Sequence, residues 1–299
     1  MRAKLYESAE VKEVKMAEMK KPSPEKKKVA IALVVGLGVL ACVFWFVKYQ
    51  IPRNEAVEQF NIAAEGLEKR NAELDAEISA LRSVLKSKEE PFDPKVAESA
   101  GNEIGAAQAA KEDVPEMPAK TEEIAACAAS IEKMGTYKDE IDDLRTARIS
   151  YENSVAQLKQ ITNPSQQFVL ERLTGLPNIT GIEAVAEGND PNGKLGKQGG
   201  YTASVIFRSD LVPGSELYLS GEYTPIVDAG CDGGGTVEVF ATVEDAQERD
   251  EYLGAFDGSF LTVGSHAVFG TCVVRTSSYL TASQQQAMQQ AIVDSLTRL

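Results

Sequence analysis

The sequence predicts an α+β domain carried on a helical stalk, with one transmembrane helix in front of both. Three observations lead to this prediction. Residues 29–47 form an uncharged apolar run, the next stretch has heptad spacing, and the last part mixes short strands with helices without strict βαβ alternation. We expect a cytoplasmic tail over 1–28, a transmembrane helix over 29–48, a stalk over 52–162, and a domain over 163–299 whose mixed sheet carries helices on one face.

The apolar run VAIALVVGLGVLACVFWFV is long enough to cross a lipid bilayer. At 1.5 Å per residue it spans roughly 28 Å, close to the ~30 Å hydrocarbon core. Trp45 and Tyr49 lie at one end, where an aromatic belt is expected. A core helix of this length would have a polar face, and this run has none.

Basic residues before the run predict its orientation. Residues 1–28 contain nine lysines and arginines, whereas acidic residues soon dominate after it. The positive-inside rule then places the N-terminus in the cytoplasm and residues 49–299 outside the cell membrane. The apolar run is too long for a cleaved signal peptide and no small-x-small site follows it. Cys42 ends a sequence resembling a lipobox, so a lipoprotein anchor remains the alternative to an uncleaved helix.

A heptad stripe follows, in which Asn71 stands among apolar residues. A lone Asn at a core position favours a parallel two-stranded coiled coil, so residues 54–90 could form a homodimer. A second helical stripe begins near Thr121, so an intramolecular antiparallel hairpin is an equal alternative. The first stripe comprises Val57, Phe60, Ala64, Leu67, Asn71, Leu74, Ile78, Leu81 and Leu85, and the second comprises Ile124, Cys127, Ile131, Met134, Ile141, Leu144, Tyr151, Val155 and Leu158.

The C-terminal domain is predicted from alternating and amphipathic patterns. Asn163 and Pro164 are a helix start signal. A capping-box pattern from Thr281 to Gln284 begins the last helix. The predicted helices cover 164–174, 243–254 and the end of the chain from Thr281, and the predicted strands cover 179–186, 201–208, 235–241 and 267–275.

Charge excludes one class of function. The chain has a formal net charge of -14, and 40 of its 45 acidic residues follow the basic tail. A domain this acidic repels nucleic acid and anionic lipid. We therefore expect no nucleic-acid partner.

The four cysteines have no CxxC spacing and no neighbouring histidine, which argues against a zinc or redox site. Cys231 and Cys272 each lie near a predicted strand of the same domain. Outside the cytoplasm these two could form a disulfide.

Three polar features are candidates for binding or chemistry. Asp190 and Asn192, in a loop that continues with Gly193, are a fragment of a calcium-loop pattern that lacks the distal Glu. The glycine run at 230–235 precedes a strand rather than a helix, so it predicts a flexible turn or bulge rather than a phosphate cradle. His266 is the only histidine, and no nucleophile motif accompanies it.

Several phrases after residue 178 carry a resemblance to known proteins. They are ITGIEAVAE, NDPNGKLGKQGGYTA, VEVFATVEDAQERDEYLGAFDG, GSHAVFGTCVVRTS and LTASQQ. The region 163–299 resembles an uncharacterised domain of membrane-anchored or lipoprotein surface proteins of Gram-positive bacteria. The resemblance implies a location in the cell envelope and nothing about chemistry.

The preferred functional expectation is an interaction or scaffold protein of the bacterial cell envelope, because no convergent polar cluster is evident in the sequence. The alternative is a ligand-binding or sensing head, with calcium as one candidate ligand. Neither requires a cofactor, and no catalytic constellation predicts an enzyme.

Overall fold

The computed structural model describes residues 24–219, 222–258 and 264–299. The chain divides into two compact units. One contains the chain up to Glu68 together with Asp113–Met134, and the other contains Lys69–Glu112 and Gly135–Leu299. Most of the tail predicted over 1–28 lies outside the described residues.

The first unit begins with the apolar helix. Helix α1 (Pro24–Trp45) continues through a π-helical turn (Phe46–Gln50) into α2 (Ile51–Leu85). Pro52 explains the π turn, because it has no N–H to donate to Lys48 four residues earlier and its ring crowds that carbonyl. The apolar side chains of α1 are exposed, and the helix is long and apolar enough to cross a membrane.

Helix α4 (Thr121–Ile131) completes the first unit. It buries Ile124, Ala128 and Ile131. The Arg53 guanidinium of α2 donates a hydrogen bond to the Ala119 carbonyl just before α4, at 2.6 Å. These contacts hold the segment that precedes α4 beside the start of α2.

The second unit contains the rest of α2 together with α3 (Lys95–Ala110) and α5 (Lys138–Gln160). Arg145 of α5 pairs with Glu77 of α2 at 2.8 Å, and α3 packs along α5. Helix α3 was missed because its glycines lower helix propensity. The long helix predicted from Thr121 is interrupted, since α4 ends at Ile131 and Tyr137 adopts a left-handed φ of 48° before α5.

The heptad stripe of α2 is largely buried within a single chain. Leu74, Ile78 and Leu81 are at most 3% exposed. The Asn71 amide nitrogen donates to the Glu112 carbonyl at 2.9 Å, so the chain itself supplies a partner for this side chain. Little of the stripe therefore remains for a second copy to cover.

The rest of the second unit is built on a five-stranded sheet in which every neighbouring pair is antiparallel. The predicted mixed sheet is therefore wrong, although the α+β layout is confirmed. The spatial order is β1–β2–β5–β7–β6, and β3 pairs separately with β4. The strands are β1 (Ile179–Ala184), β2 (Ala203–Ser209), β3 (Tyr218–Leu219), β4 (Glu222–Tyr223), β5 (Gly234–Val239), β6 (His266–Phe269) and β7 (Cys272–Thr276).

Helices cover both faces of this sheet, not one as predicted. One face, which we call the apolar face, packs α6 (Gln166–Leu173), α9 (Ala282–Thr297) and the end of α5 against alternate residues of the strands. The other, which we call the α8 face, is covered by α8 (Val243–Gly254) and by the short α7 (Ile226–Ala229). Ile161, just after α5, lies in the core of the apolar face, so the boundary predicted at 162/163 crosses one continuous core.

Local signals account for most element ends. Thr242 caps α8 by accepting a hydrogen bond from the Asp245 N–H, and Thr281 forms the predicted capping box with Gln284. Ser165, not Asn163, caps α6. The strand predicted over 267–275 is instead a hairpin of β6 and β7. It turns at Gly270, whose φ of 58° suits glycine.

The predicted disulfide between Cys231 and Cys272 is not formed. Cys272 belongs to the core of the apolar face. Cys231 lines a cleft on the opposite side with Glu238 and Arg275. Because successive side chains of β7 alternate between the two faces, a sheet lies between the two sulfur atoms.

Candidate functional site

A buried ionic cluster lies on the α8 face of the sheet. Glu238 is 1% exposed, and Arg249 holds it with a bidentate pair of hydrogen bonds, from Nε to Oε2 at 2.7 Å and from Nη2 to Oε1 at 2.9 Å. Arg275 Nη1 donates to the same Oε1 at 2.8 Å. Two guanidinium groups therefore share one carboxylate.

Three different elements bring these side chains together. Glu238 stands between Val237 and Val239 on β5, so strand alternation turns it away from the apolar face. Arg275 occupies the equivalent orientation on neighbouring β7. Arg249 lies with Ala246 and Leu253 on the buried side of α8, a spacing of three and four residues that defines one helical face.

The electrostatics of the cluster follow from burial and pairing. Burial alone would raise the pKa of Glu238, but the hydrogen bonds and charges of Arg249 and Arg275 hold that pKa below its usual value. Glu238 is therefore ionised at neutral pH, and the cluster carries one net positive charge. Arg275 Nε is buried without a hydrogen-bond partner, so the guanidinium is incompletely paired.

A cleft of 440 Å³ opens beside this cluster, and we call it the basic cleft. It lies within the volume range of small-molecule sites. The Tyr252 ring faces both the Lys194 Nζ and the Arg249 Cζ, each 5.6 Å from the ring centroid. The lining residues are Asn192, Lys194, Arg249, Tyr252, Leu253, Phe256 and Arg275.

Two other cavities help to define the site. A cleft of 280 Å³ shares Asn192 and Arg275 with the basic cleft and reaches Cys231. A groove of 460 Å³ beside α9 has comparable volume, but its lining includes no charged side chain. Because binding sites combine an apolar wall with a few convergent polar groups, the basic cleft is the better candidate.

The predicted calcium residues have another role in the structure. The Asp190 carboxylate accepts hydrogen bonds from the Asn192 N–H at 3.0 Å and the Leu195 N–H at 2.8 Å, and from the Tyr201 hydroxyl. Partial burial would raise the pKa of Asp190, but these hydrogen bonds hold it below its usual value. Among the described residues, no three His, Cys, Asp or Glu side chains form a group able to hold a metal ion. Asp190 thus fixes the loop that carries Lys194.

The glycine run also has a packing role. Gly230–Gly233 form a 3-10 turn, and Gly234 and Gly235 already belong to β5. A Cβ on Gly235 would lie 2.3 Å from Phe207 Cζ and 2.4 Å from the Arg275 carbonyl oxygen. Gly235 therefore permits close packing of Phe207 on the apolar face, whereas the expected turn is confined to Gly230–Gly233.

His266 lies between two carboxylates. Its Nδ1 is 2.6 Å from Asp250 Oδ1, and its Nε2 is 3.4 Å from Asp257 Oδ1. Both ring nitrogens therefore face acids rather than a hydroxyl or thiol that they could deprotonate. His266 of β6 therefore connects this strand to α8 through its contact with Asp250.

The three residues of the ionic cluster were not predicted from the sequence. Each is a charged residue in a helix or strand, at a position where the hydrophobic periodicity of that element predicts burial. Arg249 follows Ala246 and precedes Leu253 at helical spacing, and Glu238 and Arg275 interrupt strongly apolar strands. A search for charges of opposite sign at such positions could have found them.

Comparisons with known proteins do not identify a relative. No family model, no curated protein and no solved structure matches this chain. The resemblance to surface proteins of Gram-positive bacteria thus stays a prediction. The class of protein is therefore inferred from the basic cleft and from the apolar helix α1.

Proposed function

We propose that this chain is a single-pass membrane-anchored protein that presents its C-terminal domain outside the cytoplasm as a ligand-binding head. The anchor is supported by one observation above all. The apolar stretch of α1 exposes its side chains on every side, and no other part of the chain that the structure describes covers them. A helix of that length and composition is stable where lipid surrounds it.

The orientation is proposed from charge. Lysines and arginines concentrate before the helix, whereas the residues after it are predominantly acidic. This asymmetry is typical of an N-terminus that stays in the cytoplasm. The C-terminal domain would then lie in the cell envelope.

A topology experiment tests this proposal. The full-length protein, tagged at both ends, is expressed in a bacterial host, and protease is added to intact cells or spheroplasts. We expect loss of the C-terminal tag and protection of the N-terminal tag. A C-terminal tag that becomes accessible only after the membrane is permeabilised would overturn the proposed orientation.

A matched control separates the anchor from other causes of membrane association. The variant Val35→Lys/Leu37→Lys places two charges near the centre of the apolar helix, where each opposes insertion. We expect this variant to move to the soluble fraction after carbonate extraction. Retention of both wild type and variant in the pellet would indicate that the helix does not hold the protein there.

A ligand-binding head is favoured over a dimeric scaffold by the two regions already described. The heptad stripe that could have joined two copies is largely covered within one chain. The α8 face offers the convergent polar groups that a recognition site requires. No nucleophile and base in hydrogen-bond contact accompany the cleft among the residues described, so binding rather than catalysis is proposed.

A further inference from the structure

We infer that the basic cleft binds a small ligand carrying an anionic group, a carboxylate or a phosphate, on a planar apolar body. This inference rests on the proposed ligand-binding role of the head and is independent of membrane anchoring. It follows from the charge of the cleft, from its aromatic wall and from its place on an otherwise acidic protein.

The charge of the cleft is positive and incompletely neutralised. Lys194, Arg249 and Arg275 line it, and no carboxylate does. Both oxygens of the nearby Glu238 are already hydrogen-bonded to the two arginines. Lys194 forms no ion pair with any carboxylate in the described part of the chain. An anion in the cleft would relieve the repulsion among three like charges.

The hydrogen-bond geometry of arginine favours two kinds of anion, carboxylates and phosphates. Guanidinium groups bind carboxylates and phosphates through paired N–H donors, and Lys194 would add a further charge-assisted hydrogen bond. Arg249 and Arg275 are held in place by Glu238, so little side-chain freedom is lost when a ligand binds. The cluster thus acts as a preorganised base for the cleft.

The aromatic wall specifies the rest of the ligand. Tyr252 is 55% exposed, so part of its ring is free to meet a ligand while it contacts two cations. Its ring meets Phe256 edge to face, with centroids 5.3 Å apart and planes at 68°. Together these rings provide an apolar surface against which a planar group can stack.

Two acidic residues lie close enough to compete. Asp245 and Glu248 line a neighbouring depression that also includes Lys194, Arg249 and Tyr252. Asp245 is engaged in capping α8, because its Oδ2 accepts from the Thr242 hydroxyl. Both carboxylates would oppose an anion, and Glu248 is the one that can be replaced without removing a helix cap, so its removal should favour binding.

The test is calorimetric titration of the full-length protein in an uncharged detergent at low salt. The probes are benzoate and phenyl phosphate, with acetate and inorganic phosphate as anions lacking the ring, and benzylammonium as a cation with the same ring. We expect saturable binding of at least one aromatic anion, about tenfold weaker binding of its ring-free counterpart, and no binding of benzylammonium. The pair of aromatic probes distinguishes a carboxylate site from a phosphate site.

Variants on the exposed rim keep the fold intact. Lys194→Gln should raise the Kd of the bound aromatic anion about tenfold, whereas Lys197→Gln, an equal change of charge in the same loop outside the cleft, should change it less than about twofold. Tyr252→Leu should weaken the aromatic anions about fivefold without changing the ring-free ones. Glu248→Gln should strengthen binding about two- to threefold.

Three outcomes would overturn the inference. They are no saturable binding of any of the four anions up to about 10 mM, equal effects of Lys194→Gln and Lys197→Gln, or binding of benzylammonium as tight as that of the aromatic anion that binds best. If binding fails while the topology experiment succeeds, the anchor stands and the ligand chemistry is wrong. If the C-terminal tag proves protected while the aromatic anion binds, the ligand chemistry stands and the proposed orientation is wrong.

Discussion

The two faces of the five-stranded sheet belong to the same strands and are built on different principles. On the apolar face, alternate residues such as Val205, Phe207 and Val237 meet α6 and α9 in a continuous hydrocarbon core. On the α8 face, the intervening positions include Arg208, Glu238 and Arg275. The apolar face excludes water by filling volume, whereas the α8 face adds buried charges to its smaller apolar clusters.

The difference indicates where stability resides and supports the proposed binding role of the α8 face. Hydrocarbon burial stabilises the fold in proportion to area removed from water. A buried ion cluster contributes little net stability, because desolvation offsets much of the attraction, and it could often be replaced by apolar residues. The ionic cluster of the α8 face is therefore costly to desolvate and is not required for stability alone. It lies next to the basic cleft, whose volume suits a small ligand.

Breaking the cluster should have the largest effect. Glu238→Gln leaves two buried guanidinium groups without their counter-ion, and we expect the free energy of unfolding to fall by about 3–5 kcal/mol. Urea titration of the full-length protein, followed by circular dichroism, measures this change. Fluorescence would not, because Trp45, the only tryptophan, lies at the end of α1.

The matched control replaces the whole cluster. In the variant Glu238→Leu/Arg249→Met/Arg275→Met no unpaired charge remains, so unfolding should cost as much as in the wild type within about 2 kcal/mol. Binding of aromatic anions should disappear in the same variant. A triple variant as unstable as Glu238→Gln would show that the charges are needed for the fold itself, and the contrast between the faces would fail.

A truncation on the apolar face should affect stability alone. Ile292 of α9 is fully buried, and Ile292→Ala should lower the free energy of unfolding by about 2–5 kcal/mol through lost contacts and a cavity. The Kd for the aromatic anion, measured on the folded variant, should stay within about twofold of wild type. A large rise in Kd would indicate that the two faces are coupled.

Acid should weaken the α8 face selectively. Because the folded-state pKa of Glu238 is lowered, the unfolded chain binds more protons as the pH falls below the usual glutamate value of 4.5. This stabilisation is complete above that value and is lost at about 1.4 kcal/mol per pH unit as the pH falls toward the folded-state pKa. The free energy of unfolding should depend less steeply on pH in the triple variant. Urea titrations between about pH 3 and about pH 6, a range that brackets the titration of glutamate, would measure the difference.

A substitution in the loop that carries Asp190 and Lys194 should have a smaller effect on the free energy of unfolding. Asp190→Asn removes a charged acceptor of three hydrogen bonds and should lower the free energy of unfolding by about 1–2 kcal/mol. Since the carboxylate is occupied by donors of the protein, millimolar calcium should leave the melting temperature of the wild type unchanged. A calcium-dependent rise that Asp190→Asn abolishes would support the calcium hypothesis instead.

The smallest effect is expected in α2. Asn71→Leu removes one hydrogen bond to the Glu112 carbonyl and also removes an Oδ1 atom that is buried without a partner. These contributions oppose each other, so the free energy of unfolding should change by no more than about 1 kcal/mol. Light scattering should give the same mass per particle for variant and wild type. A change in mass would revive the homodimer through 54–90.

Local signals in the sequence were sufficient for several elements. The Thr242 and Thr281 caps predict the starts of α8 and α9 because their hydrogen bonds join residues only three apart. The hairpin of β6 and β7 was missed despite a local signal. The strand pattern over 267–275 hides the reversal at Gly270, although a glycine inside a strand pattern is a local turn signal, and the two-residue turn between Phe269 and Cys272 begins with it.

The candidate site depended on information of another kind. Alternation indicates that Glu238 and Arg275 lie opposite the apolar residues of their strands, but it does not indicate what covers that side. Only the fold places α8 and Arg249 above them. The calcium interpretation of Asp190 and Asn192 stays a prediction, and nothing in the sequence indicated that Tyr201 and Leu195 donate hydrogen bonds to the Asp190 carboxylate.

The surroundings of Cys231 and Cys272 have a consequence for chemical durability. Cys272 is buried and Cys231 is half-buried. Desolvation raises the pKa of the Cys231 thiol to about 11, against the opposing influence of Arg275, and that of Cys272 to about 12. Both thiols are therefore held in the protonated form at neutral pH, and a protonated thiol is a poor nucleophile. Oxidants and alkylating agents that react with thiolates should modify these two cysteines slowly.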